Sequence, residues 1–109
     1  MSDLWTYRSP PGEVSLVGFS VDARDGKIGK IDDATYDVES SYIVVDTGPW
    51  IFGRKVLLPA GVIEEIDLDN ERVMVARTKD EIREAPEFDS ETGFDRSRRD
   101  EWDSYYGGF

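Results

Sequence analysis

The chain contains no cysteine and no histidine. The first absence excludes a disulfide framework and thiol chemistry; the second removes the usual general base and the commonest transition-metal ligand. No apolar run is long enough for a membrane-spanning helix. The opening stretch MSDLWTYRSPPGE lacks the basic and apolar regions of a signal peptide, so a soluble, cytoplasmic protein without membrane insertion is expected. Positive charge is scarce as well: 13 Lys and Arg face 24 Asp and Glu, for a formal net charge of −11. Phosphate recognition needs a basic stripe, so nucleic acid is not an expected partner. The one basic cluster, RSRR at 96–99, lies among Asp95, Asp100, Glu101 and Asp103, which offset its field.

What remains is one domain's worth of chain, 109 residues, enough for a modest core. Residues 1–13 read as an N-terminal arm, because SPPGE cannot propagate a helix. Trp5 and Tyr7 lie two apart, on one side of an extended segment, where they either cover an edge of the core or meet a partner. From 14 to 77 the pattern is strand after strand. Val17, Phe19 and Val21 alternate, Asp25-Gly26 suits a type I′ hairpin turn, and Ile28 and Ile31 supply apolar contacts on the return strand. Gly29 breaks that alternation, as a bulge or a close backbone approach would. SYIVVDTG follows, then an apolar stretch stopped by Pro59, then VIEEIDLD with Ile66 and Leu68 on one side, then NERVMVAR with Val73 and Val75 sharing a face. The fold class is therefore mainly β, a small closed or partly open barrel of about six short strands.

The period changes at TKDEIREAPEF. Thr78 with Glu81 three residues later is a capping-box pattern, Ile82 and Ala85 share a face, and Pro86 stops a short helix. Residues 87–109 form an acidic, aromatic tail. A helix from about Asp95 would gather Trp102, Tyr105 and Tyr106 on one face, and Phe109 closes the chain. Such a segment either folds back onto its own barrel or reaches another molecule.

The stretch VDARDGKIGKIDDATYD tests for a calcium loop. With Gly26 at loop position 6, Val21 and Ala23 fall where oxygen ligands are needed and Asp32 stands where glutamate belongs. The spacing fails and the hairpin reading stands. Weak divalent-cation binding by Asp22, Asp25, Asp32, Asp33 and Asp37 from different loops remains open as an alternative. So does a small-molecule-binding barrel. The acidic pairs Asp32/Asp33 and Glu64/Glu65 could serve a carboxylate enzyme, but strand neighbours point to opposite faces and are not expected to converge.

Three segments in order, GFSVDARDGKIGKIDDATYD, YIVVDTGPWIFGRKVLLP and VARTKDEIREAP, resemble the PRC-barrel family over about residues 14–86. The chain looks most like its small stand-alone bacterial members of actinobacterial type. The family also includes the cytoplasmic domain of a photosynthetic reaction-centre subunit and the C-terminal domain of a ribosome-maturation factor. The resemblance implies a barrel of about six strands followed by a short helix, and protein–protein docking rather than catalysis. It implies no catalytic residues, metal or cofactor. The expected role is thus a non-catalytic interaction or assembly module, with a two-fold homodimer as the simplest partner. Candidate interaction residues are Trp5, Tyr7, Trp50, Phe52, Trp102, Tyr105, Tyr106 and Phe109. Trp50 either closes the barrel end or serves as an exposed anchor.

Overall fold

A computed structural model describes residues 4–7, 12, 14–36, 41–48, 55–86, 88 and 98–107. Six strands, β1 Ser20–Ala23, β2 Gly26–Ala34, β3 Tyr42–Asp46, β4 Lys55–Pro59, β5 Ile63–Asp67 and β6 Arg72–Val75, form one sheet in the order β4-β3-β2-β1-β6-β5. Neighbours are antiparallel except β1 and β6, which run parallel. β4 and β5 do not pair, so of the two expected forms the partly open barrel is the one adopted. Six flat strands would hold their outer pair about 24 Å apart. Yet only the 3-10 turn Ala60–Val62 joins Pro59 to Ile63, and four Cα steps reach at most about 15 Å. The sheet must curl.

β2 supplies much of that curl. It pairs on both sides and carries an extra residue toward each neighbour: Ile28 opposite the Val21/Asp22 step of β1, and Asp32 opposite the Val45/Val44 step of β3. Bulges bend a strand and increase its twist. They also break the period of two, so Ile28 and Ile31, three apart, are both buried. Between the two bulges sits Gly29, where the backbone of Asp46 and Thr47 crosses. A Cβ there would stand 2.0 Å from the Asp46 carbonyl oxygen, so no other residue fits without moving the chain. Both alternatives read from the sequence at Gly29, a bulge and a close approach, occur within two residues.

Three local expectations are corrected. The hairpin loop is Arg24-Asp25, with Gly26 already paired to Ala23 at φ 148° and neither loop residue at positive φ. Val17 is 52% exposed, because Phe19 donates its N–H back to the Leu16 carbonyl at 3.1 Å and this turn buries Leu16 instead. Leu68 lies beyond the end of β5 in the turn to β6, and is exposed rather than sharing the half-buried side of Ile66.

The helix after the sheet, α1 Lys79–Arg83, starts as its sequence requires. Thr78 Oγ1 accepts from the Glu81 N–H at 3.2 Å, and Glu81 Oε1 accepts from the Thr78 N–H at 2.8 Å. A further N–H, that of Lys79, donates to Asp25 Oδ1 at 2.8 Å, so the hairpin loop caps the helix across 54 residues of sequence. Ile82 and Ala85 are buried together. α2 Arg99–Gly107 places Trp102 and Tyr106 in the same core as Leu16, Ile28, Ile43, Leu58 and Val73.

Gly29→Ala is expected to cost more than about 3 kcal/mol, or to prevent folding, because the obstruction is backbone. Gly107→Ala, with nothing near its added methyl, should shift stability by less than about 0.5 kcal/mol. Urea denaturation of both variants checks the contrast.

Candidate functional site

The aromatic residues singled out in the sequence meet in a seam between the N-terminal arm, the sheet and α2. Trp5, Tyr7, Trp102 and Tyr106 are buried, and Tyr105 is half-buried. The Trp5 indole N–H donates to Asp103 Oδ1 at 2.5 Å and its ring meets Tyr42 edge-on at 6.4 Å. The Tyr7 hydroxyl donates to the Thr35 carbonyl at 2.7 Å, and its ring stacks on Tyr36 at 5.8 Å. Burial, with Tyr36 adding to it, pushes the Tyr7 phenol well above its ordinary pKa. The Tyr105 hydroxyl donates to the Glu81 carbonyl and so ties α2 to α1. Trp50, Phe52 and Phe109 lie outside the described residues.

Three arginines cover the aromatic rings. Arg99 stands 4.7 Å from the Trp5 ring centre, Arg98 5.0 Å from that of Trp102, and Arg77 5.8 Å from that of Tyr106. Arg77 also donates to the Tyr106 carbonyl at 2.9 Å, near the C-terminal end of α2. Arg98 pairs with Glu101 at 2.8 Å. The expected cancellation of the RSRR charges thus takes a definite form: Arg98 pairs with Glu101 and Arg99 stands 3.9 Å from Asp103, each guanidinium lying over an indole. Stacking of this kind contributes about 0.5–2 kcal/mol per pair. The sequence signal for it, arginine near tryptophan, is too common to have identified the partners.

The described hairpin carboxylates each have a partner. Asp22 pairs with Arg72 at 2.9 Å, Asp32 with Lys55 at 2.7 Å, Asp25 caps α1, and Asp33 accepts from the Ala34 N–H at 2.9 Å. Asp37 is outside the described residues, and among those described no three acidic side chains gather around one point. Both acidic pairs sit at bulges, Asp32 in β2 and Glu64 in β5, so both members of each pair reach solvent instead of alternating in and out.

Two further surface features stand out among the described residues. A shallow groove of about 510 Å³ lies where β2 and the end of β3 cross, with Ile28, Gly29 and Thr47 in its lining and Lys27 and Lys30 exposed at its rim. Neither lysine makes an ion pair among the described residues. The second feature is the outer edge of β5, which among the described residues ends the sheet with β6 as its one strand neighbour. There Glu64 and Glu65 are exposed and Asp67 accepts from both the backbone and side-chain nitrogens of Asn70, at 3.1 and 2.8 Å. The Asn70 side chain first, then its backbone N–H, hold the Asp67 carboxyl below the usual carboxylate range.

A family model described as the PRC-barrel domain matches residues 14–82. The chain belongs to the PRC-barrel family. The match covers the sheet and most of α1, so β1 to β6 are family architecture while α2 lies beyond it. Among solved structures, this PRC-barrel is similar to a putative 16S ribosomal RNA processing protein, RimM, from Pseudomonas aeruginosa. The identity is 23%, the TM-score 0.50, and the similarity covers 66% of this chain and 50% of that one. At that identity the likeness is one of fold. No curated protein matches. No helix among the described residues is long and apolar enough to cross a membrane.

Trp102→Ala should destabilise the PRC-barrel by about 3–5 kcal/mol, since it empties an indole-sized volume in a shared core; thermal unfolding measures it. Acid should act through Asp67 and through Glu101, which its hydrogen bond to Arg98 holds low. Both carboxyls are depressed in the folded chain, so their contribution is complete above the ordinary pKa of about 4 and fades as pH falls through the lower folded values. Glu101→Gln is expected to flatten the acid limb of the stability–pH curve, with no change in slope at neutral pH.

Proposed function

We propose that this PRC-barrel is a non-catalytic docking module that binds another protein. The observation that carries the reading is the sheet left open at β5, a strand whose backbone edge no described segment covers. An uncovered edge is a template for pairing with a second chain unless it is guarded. Beside it, Met74 on β6 and Leu68 in the turn are exposed apolar side chains. The RimM similarity brings ribosomal RNA processing into consideration as a setting. A net charge of −11 directs that reading away from phosphate contact and toward a basic protein.

Of the aromatic arms that suggested a two-fold dimer, Trp5, Tyr7, Trp102 and Tyr106 are engaged in this chain's own core, so these four side chains do not support self-association. A second reading, a small anionic ligand in the groove, draws support from Lys27 and Lys30. The two separate cleanly by site-specific photo-cross-linking in cells. A photoreactive residue at position 17, 36, 68 or 74, all exposed, should give a discrete protein adduct at one or two of these positions. Absence of any protein adduct from all four would overturn the docking reading.

A further inference from the structure

We propose that the outer edge of β5 over Glu65–Asp67 accepts an extended segment of a partner protein in which basic and aliphatic residues alternate. The inference rests on the docking reading and names where and what it binds.

The two ends of the sheet are not equivalent. The β4 edge is met at Lys55 by a bridge to Phe88. The β5 edge has no strand, bridge or backbone hydrogen bond on its outer side among the described residues. The bulge in β5 lies at its start, between Ile63 and Glu65. From there Glu65, Ile66 and Asp67 run in regular register against Met74, Val73 and Arg72. That leaves a short, regular backbone ladder able to accept one more strand.

Side chains define the occupant. Glu65 is exposed, Ile66 half-buried against the core, and Asp67 partly exposed. Along a strand these alternate, so an added strand would meet carboxylate, aliphatic surface and carboxylate in turn. Opposite-charge pairs directly across a sheet stabilise it, and like-charge pairs oppose it. A second copy of β5 would bring Glu64, Glu65 and Asp67 against their own kind. The charges that guard this edge against self-pairing therefore select for lysine or arginine on the incoming strand. The chain's net charge of −11 draws such a segment in.

The test uses the intact chain and a short synthetic peptide of alternating lysine and valine, compared with the same peptide N-methylated at alternate backbone nitrogens. N-methylation leaves the charge intact and removes the donors a new strand needs. The expected result is saturable binding with increased amide-exchange protection at the outward-facing N–H within residues 65–67, which alternates with those bonded to β6, and at least about tenfold weaker binding of the methylated peptide. Glu65→Lys, at a solvent-exposed position, should weaken binding by a similar factor while leaving the nuclear magnetic resonance spectrum otherwise folded. Equal affinity for the two peptides, or protection mapping elsewhere on the barrel, would overturn the assignment. A photo-adduct that persists undiminished in Glu65→Lys cells would leave the docking reading standing and remove the β5 edge from it.

Discussion

Gly29 lies where β2 has to do three things within a few residues. It pairs with β1 on one side and β3 on the other, and it lets the chain leaving β3 pass over it. Regular pleating cannot meet all three demands, because a side chain at this position would occupy the space of the Asp46 carbonyl. The missing Cβ and the extra residues on either side solve the problem together, and the strand emerges strongly bent. The curvature of the sheet, the approach of β4 to β5 through a single 3-10 turn, and the enclosed apolar interior all follow from that bend. The groove beside Lys27 and Lys30 is the outer trace of the same crossing.

Curling the sheet without closing it leaves an interior that strands alone do not seal. The arm and α2 complete the enclosure, with Trp5 and Tyr7 from one and Trp102 and Tyr106 from the other entering one continuous core. Amphipathic aromatics suit this position, because each can bury a ring and still direct an N–H or O–H to a partner, as Trp5 does with Asp103 and Tyr7 with Thr35. The arginines place their cations over the indole rings of Trp5 and Trp102 while their charge stays near the carboxylates of Asp103 and Glu101. Trp5, Tyr7, Trp102 and Tyr106, which look like binding anchors in a linear sequence, pack into the core where the arm and α2 meet the sheet.

This changes where recognition has to be sought. Among the described residues, the features open to another molecule include the outer β5 edge, with its glutamates and the exposed Leu68 and Met74 beside it, and a lysine-rimmed groove of opposite sign. They face different chemistry, one suited to a basic extended segment and the other to a small anion. The strand edge matches the sign of the whole molecule, because steering acts through the summed field and the groove's two lysines work against it.

Sequence alone determined the β class, the number of strands, the Thr78–Glu81 cap and the helical grouping of Trp102 with Tyr106, because each depends on spacing between near neighbours. The register of β2 was only half legible. Gly29 announced an irregularity, but whether a bulge, a crossing or both produced it depended on β1 and β3, which are distant in the chain. Tertiary structure alone decided that Asp25 caps a helix 54 residues away and that adjacent acids can both face solvent at a bulge. It also decided that arginines of the charged tail sit on Trp5 and Trp102. Side-chain fate in those cases is set by which strands and termini meet in space, and local periodicity carries no record of that.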